Sequence, residues 1–374
     1  MRRFLRPRAA MLLTLFLLAA VAFPAAADIE TAVEITTLSF LTRNATGEAM
    51  VYLLGKGNLS FSAIGNDNVR AVAELAGIWA GNLAMSPEDI LKRLFVKINF
   101  GGFYLTAGKT RVSFGEGFVF NAGDVIFGSL EPPGDLSESV LRDETDWLID
   151  GMLPLGLFSY IEGILLPFSP LDTDPLSDAS VYKLRGGGRV VTKLAGIKLE
   201  GGYLFKADEA VHHPYVSLQG NLFFDAQLSA SWKIPADGAA EEQLRQGLAV
   251  TGGLFRIFQF DDGSALTVRL EAVWRPFGLW RETQAPLPEG HHYALLLYPE
   301  IEYSPFDVLS LQLRSLISPV DASGLVSFGV TFGIYQGLDL LGYVWTMWGE
   351  ADDEYFGWGR EGDIGVSLGL QFIY

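Results

Sequence analysis

Asp363-Ile364-Gly365-Val366-Ser367-Leu368-Gly369-Leu370-Gln371-Phe372-Ile373-Tyr374 ends the chain, and its reading decides the rest. Successive side chains of an extended strand point to opposite sides. Ile364, Val366, Leu368, Leu370, Phe372 and Tyr374 therefore share one face, and Asp363, Gly365, Ser367, Gly369 and Gln371 the other. The same split recurs upstream. Leu222, Phe224, Ala226, Leu228, Ala230 and Trp232 alternate with Asp225, Gln227, Ser229, Ser231 and Lys233, and Leu266, Val268, Leu270, Ala272 and Trp274 with Thr267, Arg269 and Glu271. Alternation over such lengths predicts strands with one apolar and one polar face.

The composition narrows what such strands can build. Of 374 residues, 49% are apolar, which excludes a disordered chain. With 44 acids against 27 Lys and Arg, the excess positive charge that phosphate backbones require is missing, so no nucleic-acid partner is expected. No cysteine is present, which removes disulfides and thiolate metal sites. No cofactor or metal signature stands out either.

The first residues read as a targeting segment. Arg2, Arg3, Arg6 and Arg8 precede the apolar run Ala9 to Phe23, and Ala25-Ala26-Ala27 supplies small residues for cleavage. This pattern predicts a secretory signal peptide over 1–27 and a mature chain of 28–374. Its removal takes away four arginines and no acid, leaving the remainder more acidic. After Phe23 no stretch has the roughly 18 consecutive apolar residues of a membrane-spanning helix.

An exported chain with long two-faced strands is either a soluble sandwich or a barrel with its apolar face in lipid. The predicted strands run about 10–13 residues, longer than the usual 5–6 of soluble sheets. Short Gly/Asn/Pro turns alternate with longer acidic segments, and the polar faces are rich in charge and Gly. The fold class predicted is all-β: a closed antiparallel transmembrane β-barrel of about 18 strands (16–18) as a single domain. Both termini are placed in the periplasm. The turns near 65–68, 101–102, 194–196, 220–221, 304–306 and 336–337 then lie inside, and segments 81–93, 115–146, 167–179, 234–245, 277–290 and 349–361 outside. This register puts Trp79, Trp147, Trp232, Trp274, Trp280, Trp345, Trp348 and Trp358 at the outer end, where the amphipathic indole favours the interface. Phe100, Phe103, Tyr303, Phe306, Tyr335 and Tyr374 fall at the other rim. The closing aromatic, after Phe372-Ile373, resembles the C-terminal signal by which assembly machinery recognises outer-membrane barrels.

Charge is sorted along this topology. Segment 115–146 holds Glu116, Asp124, Glu131, Asp135, Glu138, Asp143, Glu144 and Asp146 against Arg142. Lys109, Arg111, Lys183, Arg185, Arg189, Arg269 and Arg314 are read as inward, with Glu271, Glu162, Glu200 and Glu300 among the inward acids. Either these charges pair across the lumen, or the longest loop folds inward and sets Glu116 and Asp124 opposite the basic row. The second arrangement forms a constriction with a transverse field, since charges in a narrow low-dielectric channel are poorly screened.

One motif carries a family resemblance. Gly108-Lys109-Thr110-Arg111-Val112-Ser113-Phe114-Gly115-Glu116-Gly117-Phe118-Val119-Phe120-Asn121-Ala122-Gly123-Asp124 resembles the strand-to-loop segment of porin-like proteins of the Gram-negative outer membrane. Thr110, Phe114 and Ala122 stand where that pattern has Gln, Trp and Pro. Glu162-Gly163-Ile164-Leu165-Leu166-Pro167-Phe168 resembles the strand that follows. The resemblance implies a barrel that conducts small solutes through outer-membrane lipid, and a homo-oligomer is compatible with that class. Physically, Gly115 and Gly117 let the chain leave the sheet sharply, and Asn121 and Asp124 cap the resulting turns.

Three functions follow in order: a channel for small polar or anionic solutes, a structural or surface-interaction barrel with a closed lumen, and a rim hydrolase. The last needs His212-His213 or His291-His292 beside an acid pair drawn from Asp208, Glu209 and Glu289. No nucleophile motif accompanies them, so no catalytic residue is assigned.

Overall fold

The computed structural model describes residues 28–43, 49–66, 68–79, 90–131, 136, 142–168, 183–238, 241–282, 292–349, 353–355 and 364–374. The predicted signal peptide over 1–27, His291, Glu289, Trp358, Asp363 and much of the acidic segments 167–179 and 349–361 lie outside the described residues.

The strands are β1 (Asp28–Arg43), β2 (Ala49–Asn66), β3 (Val69–Trp79), β4 (Leu91–Asn99), β5 (Tyr104–Thr110), β6 (Asp146–Pro154) and β7 (Tyr160–Leu166). They continue as β8 (Arg185–Leu194), β9 (Ile197–Lys206), β10 (Val211–Asn221), β11 (Asp225–Trp232), β12 (Ile234–Pro235) and β13 (Leu248–Gln259). The rest are β14 (Ala265–Trp274), β15 (Leu295–Phe306), β16 (Leu309–Ser318), β17 (Ser323–Tyr335), β18 (Leu338–Trp348) and β19 (Ile364–Ile373). A short helix, α1 (Glu241–Gln246), precedes β13. The 19 strands of the described residues join one sheet in which chain neighbours pair antiparallel, the two-residue β12 sitting beside β10. Without β12 the strands number 18, as predicted.

Pairing of β1 with β19, from Glu34↔Ile373 to Thr42↔Gly365, closes the sheet into a barrel. Closure removes both edges, so no row of backbone donors and acceptors is left open to another chain. The final strand carries the two faces its sequence predicts: Leu368 is 59% exposed on the outer surface, and Ser367 beside it is 2% exposed inside. Ile364, Val366, Leu370 and Phe372 are exposed with Leu368. An apolar face turned outward around a closed sheet is the surface of a transmembrane barrel, because lipid takes the place of a protein core.

The two ends of the barrel differ. Short turns join β2–β3, β4–β5, β8–β9, β10–β11 and β17–β18 at one end, and Tyr374 lies at that end too, its backbone bonded to Val33. Long connections crowd the other end. Trp147, Trp232, Trp274 and Trp348 ring the long-loop end on the outer face, while Phe100, Phe306, Tyr335 and Tyr374 are exposed at the turn end. Trp345 departs from this belt. Its register opposite Ser327 and Gly365 turns it into the lumen, where it meets Phe40 edge to face at 5.9 Å.

Candidate functional site

The decisive feature is the connection between β5 and β6. The strand predicted to run to 114 stops at Thr110, and the chain turns into the barrel. Gly115 has φ of +66°, and a Cβ there would lie 2.6 Å from the Cα of Gly123. A Cβ on Gly117 would lie 2.2 Å from the Phe120 carbonyl oxygen. Two turns of backbone are thus in contact where no side chain fits. Asn121 ties them: its Nδ2 donates to the Phe114 carbonyl at 2.9 Å and its Oδ1 accepts from the Gly123 N–H at 3.0 Å. Asp124 accepts from the Ser129 hydroxyl at 2.6 Å and from Arg111 at 2.8 Å.

The barrel wall then holds this loop along its inner face. Glu200 on β9 accepts the Gly115 N–H at 2.7 Å, and Thr251 on β13 accepts that of Ala122 at 3.0 Å. Glu271 on β14 accepts three successive N–H groups, from Phe118 at 2.8 Å, Val119 at 2.7 Å and Phe120 at 3.0 Å. Arg314 on β16 donates to the Leu136 carbonyl at 2.8 Å. Backbone that would be left without partners inside a barrel is satisfied by wall side chains, as a buried loop requires.

Apolar side chains fill the gaps. Phe114, Val125 and Ile126 pack on Leu148, Ile164, Leu166, Leu204 and Tyr215 of the wall. Val119, Phe120 and Leu136 pack on Val273, Leu296, Tyr298, Leu316 and Leu325. These wall positions are inward, so the polar face expected from alternation is interrupted by an apolar tract wherever the loop rests.

Most of the predicted lumen charges meet at this contact. Arg111 reaches Asp124 and Glu144, the latter at 2.5 Å. Arg185 pairs with Asp146 and donates to the Phe168 carbonyl. Arg189 bridges Glu162 at 2.6 Å and Glu200 at 3.0 Å, donates to Ser113, and lies 4.5 Å over the Phe114 ring. Glu116 pairs with Lys198. Arg269 and Arg314 share Glu300, each at 2.9 Å, and Arg269 covers the Phe118 ring at 3.6 Å. Arg189, Arg269 and Arg314 fix the loop to the wall, whereas Arg111 ties the loop to itself and Arg185 ties the wall beside it.

Two positions differ from the inward reading. By register Lys109 shares the face of Ala107, Ile149 and Trp147, which is the outer one, and its ammonium donates to the Leu91 carbonyl at 2.6 Å. Lys183 precedes β8, which begins at Arg185, so strand alternation does not apply to it.

The open space lies on the other side of the lumen. A cavity of about 560 Å³ is bounded by β17–β19 and β1–β4. Its walls carry Glu34, Lys56, Glu74, Lys92, Arg93 and Asp143. Glu74 meets Arg93 at 3.1 Å and Lys92 at 3.9 Å, and Lys92 also pairs with Asp143. Glu34 accepts from Gln371 at 2.6 Å and Asn58 at 3.3 Å. A second hollow of about 650 Å³ opens at the turn end beneath the loop, with Lys97, Lys193 and Lys198 around Tyr104, Phe158 and Tyr160.

Of the passage residues only Asp143 stands out in the sequence, as one of the acids of segment 115–146. The usable signal was the polar alternation of β1–β3: Glu34, Lys56, Asn58 and Glu74 all fall on the inward face. Among the described residues no group of three or more His and acid side chains gathers as a metal site; His292 lies 3.8 Å from Glu131, and His291 and Glu289 lie outside them. His212 faces outward, bonded to Tyr203 at 2.5 Å, whereas His213 is buried on the inner face.

No protein-family model matches the chain, and no curated protein matches its sequence. Solved structures do. OccAB3 of Acinetobacter baumannii superposes with a TM-score of 0.57 over 93% of this chain and 99% of that one, at 10% identity. The outer membrane protein OpdK of Pseudomonas aeruginosa gives 0.56 over 93% and 98%, at 8% identity. A BenF-like porin from Pseudomonas fluorescens Pf-5 gives 0.54 over 92% and 98%, at 10% identity. The chain has the fold of these outer-membrane porins. At such identities the likeness is one of architecture, and the chemistry of the lumen has to be argued from this chain's own residues.

Proposed function

We propose that the protein is an outer-membrane channel for passive passage of small polar or anionic solutes. In this reading residues 1–27 direct export, both ends of the barrel sheet face the periplasm, and the C-terminal strand is read by the assembly machinery. The observation that carries it is the one-sided lumen. The inward loop occupies the part walled by β6–β10 and β13–β17, leaving about 560 Å³ along β17–β19 and β1–β4. A solute crossing there meets Glu34, Glu74 and Asp143 beside Lys56, Lys92 and Arg93. Opposed charges in so narrow a space orient a polar solute. The turn-end hollow sets Lys97 and Lys193, with the paired Lys198, against Asp225, a net positive lining that favours anions. OpdK has been solved with vanillate and OccK2 of Pseudomonas aeruginosa with glucuronate, both small carboxylates, which supports the anionic half of the reading.

The test is single-channel recording of the purified protein in planar bilayers. Stepwise conductance is expected. A second reading, a structural barrel with a closed lumen, is favoured by the apolar packing between loop and wall. A barrel that inserts and stays electrically silent selects it. Neither reading assigns a catalytic group.

A further inference from the structure

Arg256 is placed unlike five of the other strand arginines. Arg93, Arg185, Arg189, Arg269 and Arg314 each meet a carboxylate on the inner side of the barrel. Arg256 pairs in register with Val268, on the face of Leu254, Leu270 and Trp274. That face is the outer one. Its guanidinium lies 3.9 Å over the ring of Phe223 and 5.2 Å over that of Phe258. Among the described residues it has no hydrogen-bond or ion-pair partner, and its Nε is buried without one.

A permanently charged group on a lipid-facing wall is costly unless an anion meets it. Two rings hold the plane of this guanidinium and leave its edge open, where a bidentate acceptor fits. Its depth selects the acceptor. β13 ends at Gln259 on the turn side, so Arg256 lies about 10 Å of strand from that end, within reach of the headgroup layer for a tilted strand. The anions available at that level are phosphodiesters. We propose that Arg256, clamped by Phe223 and Phe258, binds the headgroup phosphate of one phospholipid of the turn-side leaflet. The inference rests on the lipid-facing reading of the wall and does not depend on the lumen.

Native mass spectrometry of the full barrel in mild detergent, titrated with phosphatidylglycerol, tests it. The wild type is expected to retain one more lipid than Arg256→Gln, with about tenfold tighter apparent binding of that lipid. Arg256→Lys, which keeps the charge and loses the planar fork, is expected to lie between them. Phe223→Leu with Phe258→Leu is expected to weaken the same step with the arginine intact. Inorganic phosphate at equal concentration is expected not to displace the lipid, which separates a headgroup site from a free-phosphate site. Equal lipid retention by the wild type and Arg256→Gln, or displacement by phosphate, overturns the proposal. Where Arg256→Gln does not assemble, as read by heat-modifiable gel migration, the Lys and double Leu variants decide it by the same count. A wild type that does not insert into liposomes sinks the membrane reading itself. One that inserts and conducts with unchanged lipid counts in the variants sinks only the headgroup site.

Discussion

The carboxylate of Glu271 accepts the backbone N–H of Val119 at 2.7 Å across 152 positions of sequence. Phe118 and Phe120 donate to the same carboxylate, which is itself 2% exposed. One wall acid thus gathers three consecutive amides, so the charge is neutralised by dipoles and the loop is held against β14. Leaving buried donors unpaired costs about 1–3 kcal/mol each. Glu271→Ala is expected to free the loop from β14, raise single-channel conductance severalfold and add noise. Glu271→Gln, which keeps one acceptor oxygen, is expected to do so less. Unchanged conductance in the alanine variant, in a barrel shown to be folded, would overturn the role given to this contact.

The open half of the lumen can be blocked by size. Ala76 lines the passage opposite Asn58. Ala76→Trp is expected to cut conductance by more than half. Leu368→Trp, on the outer face, is the control and is expected to leave it unchanged. Planar-bilayer recording compares the two, and the opposite ranking would move the passage to another part of the lumen.

The passage charges are balanced, so their removal should act in opposite directions. Neutralising Lys92 and Arg93 together leaves Glu74 and Asp143 facing the solute. The reversal potential in a salt gradient is expected to shift toward cation preference. Glu74→Gln with Asp143→Asn is expected to shift it toward anions. Arg185→Gln with Arg189→Gln should act mainly by loosening the loop, seen as lowered thermal stability and unsteady current, because breaking one side of a buried pair costs about 3–5 kcal/mol.

At the long-loop rim, Glu354 is raised to about 7, first by burial and then by the nearby charges of Glu131 and Asp321, with Arg275 opposing. Its backbone N–H donates to Asp321 at 2.8 Å. An acid whose pKa rises on folding binds more protons in the folded state. Its contribution is therefore complete below the ordinary value of 4.5 and is lost as pH climbs through about 7. Hydrogen exchange at 353–355 is expected to quicken between pH 5 and pH 8 beyond the intrinsic rate. Glu354→Gln is expected to flatten that pH dependence, and an unaltered profile in the variant would assign the effect to another group.

Much of the barrel was legible because a strand reports its two faces locally. Leu368 and Ser367 are adjacent, and one is exposed to the outside while the other is buried within. The indoles near the long-loop end and the turns at the other were legible for the same reason. Gly115, Gly117, Asn121 and Asp124 marked where the chain leaves the sheet, since tight turns demand those residue types. Lys109 shares the parity of Arg111, which suggests an inward side chain, but the strand stops between them and the register with Trp147 sets Lys109 on the outer face. Trp345 was read as interfacial from its height along the barrel, and only its pairing with Ser327 and Gly365 shows that it faces inward.

The residues by themselves determine a closed wall with oil outside and charge within, because a two-residue period is set between neighbours in the chain. Which half of the lumen the loop fills, and hence where a solute can pass, was decided only in three dimensions. Those contacts join Gly115 to Glu200 and Leu136 to Arg314, 85 and 178 positions apart. No local pattern encodes partners at that separation, since they meet only after the last strand has closed on the first.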